Sequence, residues 1–215
     1  MPVPLKIDFV SDISCPWCVI GLRALEQAIA RLDGQVAVDL HFQPFELNPQ
    51  MPPGGQDIDE HLQQKYGSTP EQAALVRERI RAAGAALGFI FSLQTRSRIY
   101  NTFDAHRLLH WAALEGRQLA LKQALFQAYF TDGEDPSNHQ VLIRAAARVG
   151  LDATRAARIL DSNEFAAVVR KEQAFFQDQG IHAVPAVIIN NQHLIQGGQP
   201  VEVFEQALRQ IAGLA

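Results

Sequence analysis

Ser14-Cys15-Pro16-Trp17-Cys18 holds both cysteines of a 215-residue chain, separated by two residues. Upstream, Leu5-Lys6-Ile7-Asp8-Phe9-Val10 alternates apolar and polar residues like a short strand. Downstream, Val19, Leu22, Leu25, Ile29 and Leu32 recur at spacings of three and four, the period of a helix. The cysteine pair therefore lies where a strand hands over to a helix, with Cys15 at the N-cap and Pro16 in the first helical position. Proline fits there because its missing N–H would have no partner inside the helix. The free N–H groups and partial positive charge of a helix N-terminus favour an anion. That favours the thiolate of Cys15, which is the nucleophilic form. Cys18 follows one turn later, within reach of a disulfide. The spacing points to redox chemistry.

Two other uses of the pair fit less well. A zinc site needs about four ligands, and no third cysteine exists. His106 and His110 share one predicted helix face but lie more than eighty residues from Cys18, so no metal is expected. A purely structural disulfide closing so short a loop constrains little of the unfolded chain.

Composition narrows the partners. Net charge is −4 with no cluster of lysine and arginine, so nucleic acid and anionic membrane surfaces are not expected partners. No apolar run approaches the length of a membrane span. Residues 1–6 show no basic run followed by an apolar stretch, so no secretory signal is read and a cytoplasmic location is expected. In a reducing compartment a close cysteine pair is more often catalytic than a stable cross-link.

Further along, residues 35–42 alternate as a second strand, and the prolines of 44–49 keep that stretch extended. From 57 to 179 the pattern becomes helical. Thr69 and Pro70 open a helix running towards Gly88. Residues 102–115, 119–131, 138–149, 153–160 and 164–179 follow, with Ser137-Asn138 and Ser162-Asn163 as cap signals. Strand character returns at 181–190. Asn190-Asn191 makes a hairpin turn to 193–196, and 201–211 is a last amphipathic helix. The expected architecture is α/β: a discontinuous core of residues 1–56 and 180–215, with a large all-helical insertion over 57–179.

These pieces resemble the DsbA-like branch of the thioredoxin superfamily, and most closely its FrnE-type group. The resemblance rests on Asp12 to Cys18 with Gly21, on Phe42 to Pro49, and on Asn101-Thr102 with Ala105 to Leu108. It continues through Gly180-Ile181, Val184-Pro185 and Gly197-Gly198-Gln199. It implies a thioredoxin-like fold and a thiol–disulfide oxidoreductase acting on protein or small-molecule thiols and disulfides. Cys15 would then be the attacking thiol, Cys18 the resolving thiol, and Pro185 a cis-proline facing them. Ser14, Pro16 and Trp17 complete the active-site turn, and Val184 offers backbone to an extended substrate. No tightly bound cofactor is implied; glutathione is the expected co-substrate, and the reading leaves room for a homodimer. Trp17 stands where strongly oxidising DsbA proteins carry a histidine, so a potent oxidant is not expected.

Other residues receive plainer readings. Glu46 is the one carboxylate near the end of the second strand that would serve as a proton relay, or else an exposed loop acid. His106 is read as a core histidine in preference to a site residue, and Asn101 as a helix cap. Gly197 and Gly198 allow close backbone approach. Phe126, Tyr129, Phe130, Phe175 and Phe176 are read as helix-packing core. The architecture also resembles kappa-type glutathione transferases and 2-hydroxychromene-2-carboxylate isomerases. On that resemblance Asn48, Val184, Gly198 and Gln199 would bind glutathione, but those enzymes have serine where Cys15 stands. A third reading is a redox-switched binding or chaperone module.

Overall fold

Alternation in the first strand puts Leu5, Ile7 and Phe9 on one face, each at most 1 % exposed. In the computed structural model, which describes residues 1–92 and 97–214, this strand is β1 (Val3–Ser11). It leads into α1 (Pro16–Arg31), capped by the extended backbone of Cys15 with Pro16 in the first turn. β2 (Val36–Pro44) returns parallel to β1, Val3 opposite Val36 through Ser11 opposite Pro44. The chain re-enters the same sheet much later with β5 (Ala186–Ile189) and β6 (His193–Gln196), antiparallel neighbours. The strand order is β2-β1-β5-β6.

Between β2 and β5 come β3 (Gln56–Asp57), α2 (Ile58–Tyr66), α3 (Pro70–Ala86), β4 (Arg98–Ile99), α4 (Phe103–Leu114), α5 (Gln118–Phe126), α6 (His139–Arg148), α7 (Ala153–Leu160) and α8 (Ala166–Asp178). α9 (Val201–Ile211) closes the chain. Residues Leu5, Ile7 and Phe9 share a buried cluster with Leu22 and Leu25 of α1 and Phe204 and Leu208 of α9. Val10, on the opposite side of the strand, packs with Phe45, Phe176 of α8, Ile181 and Ala186. Full burial of one such side chain is worth about 1.5–3 kcal/mol. The two layers therefore hold β1 firmly, and β1 fixes where the cysteine turn begins.

Cap chemistry sets several boundaries. The Thr69 hydroxyl accepts from the Gln72 N–H while the Gln72 side chain accepts from the Thr69 N–H, a reciprocal capping box. Asn138 and Asp152 cap α6 and α7 through their side chains. Asn190 and Asn191 both take left-handed φ, 52° and 57°, as the hairpin turn requires.

Some expectations are corrected. The strand expected from 181 begins only at Ala186, directly after Pro185, which has no N–H to give a ladder and whose carbonyl accepts from the Gly197 N–H at 2.8 Å. Among the described residues, the segment between β2 and β5 carries, besides its helices, a two-residue antiparallel ladder, Gln56 opposite Ile99 and Asp57 opposite Arg98. α2 falls within the expected helical segment but is not singled out by periodicity, since only Ile58 of its nine residues is buried. Ser162-Asn163 does not cap α8; the residue before that helix is Phe165, at φ 62°. α5 runs on into a π-helical turn, Gln127–Thr131. Residues 93–96 and 215, which the expected 57–179 and 180–215 segments include, lie outside the described residues.

Candidate active site

The handover from β1 to α1 places the cysteines at one end of the sheet. Cys15 and Cys18 are both unpaired thiols in this structure. Cys15 is 3 % exposed and Cys18 is fully buried. Cys18 N–H donates to the Cys15 carbonyl at 3.1 Å, so the pair spans the first turn of the helix. Opposite stands the Val184–Pro185 peptide bond, which is cis, and Cys15 Sγ donates to the Val184 carbonyl at 3.6 Å. Glycines allow this approach. A Cβ on Gly21 would lie 3.2 Å from Pro185 Cγ, and one on Gly198 would lie 2.9 Å from the Trp17 carbonyl oxygen. The Gly198 backbone thus packs directly on the cysteine turn.

Behind the turn lies a carboxylate, Asp12, with no exposure. Its Oδ1 accepts from the Thr102 hydroxyl at 2.7 Å and the Ser14 N–H at 3.2 Å. Oδ2 accepts from the Leu47 N–H at 2.7 Å and the Ser14 hydroxyl at 2.9 Å. Burial pushes the Asp12 carboxyl up, but the His106 ring, the Leu47 N–H and the Thr102 hydroxyl outweigh it and hold the group at about 2. His106 Nε2 stops 3.6 Å from Asp12 Oδ1. Burial pushes the Cys18 thiol well up, its hydrogen bond to Cys15 and the Cys15 charge add to this, and Lys122 pulls the other way.

The remaining sequence candidates divide. Ser14 belongs to the site through Asp12, and Trp17 lies on the rim with the Arg79 guanidinium 5.8 Å from its ring centre. Tyr66, which the sequence reading does not single out, is 61 % exposed; burial, then the Cys15 charge, raises its hydroxyl. Asn48 Oδ1 accepts from Lys65 Nζ at 2.7 Å, and Lys65 also reaches the Leu47 carbonyl. The Gln199 side chain donates to the Gln196 carbonyl at 2.7 Å. Glu46 is not an exposed loop acid. It is buried and clamped by Arg170 and Gln173 of α8, with Asn101 at 3.4 Å. Asn101 accepts from the Phe103 N–H at the start of α4, as a capping residue does. His106 is a buried residue as read, but it flanks Asp12. Phe175 is 55 % exposed and so is not core.

Two residues of the site went unread. Asp12 enters the sequence reading only as part of a resemblance, because two of its four donors, Leu47 and Thr102, come from distant segments. Lys122 is fully buried on the face of α5 that also buries Leu121, Leu125 and Phe126. A lysine inside an apolar helical stripe was the available signal.

The sheet order, the cysteine turn and the opposed Pro185 are the features of one class of fold. A model of the DSBA-like thioredoxin domain matches residues 6–209, and the chain belongs to that family. The probable DsbA oxidoreductase SCO1869 from Streptomyces coelicolor is 33% identical and superposes with a TM-score of 0.89, over 97% of this chain and 90% of that one. The uncharacterized protein YwbO of Bacillus subtilis (strain 168) is 26% identical over 97% of this chain and 96% of its own. The cytosolic disulfide reductase DsbM from Pseudomonas aeruginosa, solved with GSH, shares the fold at 17% identity and a TM-score of 0.67, covering 97% and 100% of the two chains.

Proposed function

We propose that this protein is a thiol–disulfide oxidoreductase of the FrnE type, working through Cys15 and Cys18, with glutathione or another thiol as co-substrate. The observation that carries the reading is the opposition of Cys15, at the N-terminus of α1, to the cis Val184–Pro185 edge, with Sγ 3.6 Å from the Val184 carbonyl. In the reductive direction the Cys15 thiolate attacks a substrate disulfide and forms a mixed disulfide, releasing one substrate thiolate. Cys18 then attacks Cys15 Sγ, forms the intramolecular disulfide and releases the second thiolate. Oxidation runs through the same steps in reverse. The Val184 backbone supplies an edge for an extended substrate segment, and Trp17 with Tyr66 supplies aromatic surface for a peptide or tripeptide.

Glutathione enters because DsbM, of the same fold, was solved with it. The glutathione-transferase and isomerase reading is disfavoured by Cys15 itself, which stands where those enzymes carry serine and which exchange with glutathione disulfide would convert to a mixed disulfide. The experiment is to trap the first intermediate. The Cys18→Ser variant incubated with glutathione disulfide should gain one glutathione on Cys15 by mass spectrometry, reversible by dithiothreitol. The Cys15→Ser variant should gain none. Labelling of Cys18 alone, or of neither, would sink the assignment.

A further inference from the structure

Arginines stand at alternate positions of α3, and they are not alike. Arg77 is paired with Asp59 of α2, and Arg81 with Glu78 at 2.6 Å. Arg79 between them is exposed and has no acidic partner among the described residues. Its guanidinium instead lies 5.8 Å from the centre of the Trp17 ring. Two packing contacts fix that placement. Ile80, the next residue of α3, is buried in the same apolar cluster as Cys15, Cys18 and Val19. Gly198 packs on the same tryptophan, where a Cβ would meet the Trp17 carbonyl oxygen at 2.9 Å and ring carbon Cε3 at 3.5 Å. Trp17 lies between the two cysteines, so a cation is held on the rim of the dithiol site.

An arginine resting on an aromatic face keeps its planar fork of N–H donors available. That fork matches a carboxylate in both charge and shape. Lys65, at the end of α2, adds a second cation, whose ammonium donates to two neutral oxygens, the Leu47 carbonyl at 2.8 Å and Asn48 Oδ1 at 2.7 Å. Asp12, behind the turn, is buried and held by its own donors, so it does not neutralise Arg79. The chain as a whole carries −4. The rim is therefore cationic against an acidic background.

We propose that Arg79 is a specificity residue of the exchange reaction: it receives a carboxylate beside the disulfide that Cys15 attacks, so that peptide disulfides with an acidic residue next to the cysteine are the preferred substrates. This rests on the role assigned to Cys15 above. In the step concerned the Cys15 thiolate forms a bond to one substrate sulfur, the substrate S–S bond breaks, and the other sulfur leaves as a thiolate. The products are a mixed disulfide and one free thiolate. Arg79 takes neither proton nor electron; it holds the acidic flank of the peptide while the Val184 edge receives the backbone. A cation at this place also acts on the Cys15 thiolate, but that effect is the same for every disulfide. Recognition of a carboxylate favours only the acidic ones, and the two effects are separable.

Symmetrical disulfides of N-acetylated, amidated tripeptides test this, with glutamate, glutamine or lysine on both sides of the cysteine. Each is mixed at pH 7 with the reduced Cys18→Ser protein, and formation of the mixed disulfide on Cys15 is timed by acid quench and mass spectrometry. Adding Arg79→Gln should lower the rate of the glutamate peptide relative to the glutamine peptide about fivefold, the size of a well-formed exposed ion pair. Adding Arg79→Glu should lower that ratio further and raise the lysine peptide above the glutamine peptide relative to the protein that keeps Arg79. Ratios that do not move in either variant overturn the proposal. That includes the case in which all the rates fall together, which would place the effect of Arg79 on the thiolate. Absence of a mixed disulfide with every peptide, in the protein that keeps Arg79, overturns the role of Cys15 instead.

Discussion

Asp12 and Lys122 are both wholly buried behind the cysteine turn, yet they are opposites. Asp12 receives four donors, two on each oxygen. Lys122 has no hydrogen-bond partner among the described residues and faces a cavity. Burying a charge costs several kcal/mol unless it is paired. The His106 ring and the donors around Asp12 more than offset that cost, and its carboxyl sits below its ordinary value; for Lys122 the charges of Cys18, Asp12 and Cys15 offset only part of it, and it too sits below its ordinary value. For an acid that direction means a charge the fold favours, and for a base a charge the fold resists. Burial is the same at both places, and pairing decides the sign.

The largest effect expected from this contrast is at alkaline pH. Lys122 is lowered from 10.5 to about 8 in the folded chain. Between these values the unfolded chain binds more protons, so stability should rise with pH. The gain is absent below about 8 and complete above about 10.5, up to roughly 3 kcal/mol at 1.36 kcal/mol per unit. Cys18 acts oppositely: its raised thiol contributes stability below its unfolded value and loses it as pH climbs towards the folded one. Urea unfolding at pH 7.5 and 10.5 in a Cys18→Ser background separates the two. Lys122→Met should abolish the rise and be the more stable protein at pH 7.5. A flat profile with Lys122 present would break the contrast.

At acid pH the expected effect is smaller and of the other kind. Asp12 lies at about 2 in the fold against an ordinary 3.8. A lowered acid contributes stability above its unfolded value and loses it as pH falls through the folded one. About 2 kcal/mol should therefore be present above roughly pH 5 and disappear by about pH 2. Thermal melts of wild type and Asp12→Asn over that range measure it. The variant should lack that part of the acid slope and melt lower at pH 7. Parallel curves would show that the donors around Asp12 do not favour its charge.

The scaffold of this contrast was legible from sequence, and its chemistry mostly was not. Period-two alternation in 5–10 and helical spacing after Val19 gave β1 and α1, and the Thr69, Asn138 and Asn190-Asn191 signals gave caps and a turn, because each is local. Partnerships of Asp12 with Thr102, ninety positions away, and of Glu46 with Gln173, 127 away, leave no periodic trace. Burial of Lys122 left one, a cation in the apolar stripe of α5, but the cavity beside it depends on β2 and α4 packing against that helix. The cysteine pair was readable because two and three residues suffice to define it.

Thr102→Val sharpens the contrast at the level of one bond. The Thr102 hydroxyl donates to Asp12 Oδ1 at 2.7 Å in a fully enclosed setting, and valine keeps the shape while removing the donor. A hydrogen bond to a charged group contributes about 1.5–3 kcal/mol, but three donors remain on Asp12, so a loss of about 1 kcal/mol is expected. The loss should be largest near pH 7 and shrink below pH 3, where protonation of Asp12 removes the charge that the bond supports. Because Thr102 precedes α4 without capping it through its side chain, helix fraying does not account for such a change. Urea unfolding at pH 7 and pH 3 gives the two values. Equal losses at both would mean that the hydroxyl packs against Asp12 without favouring its charge, and that His106, Leu47 and Ser14 hold the carboxylate.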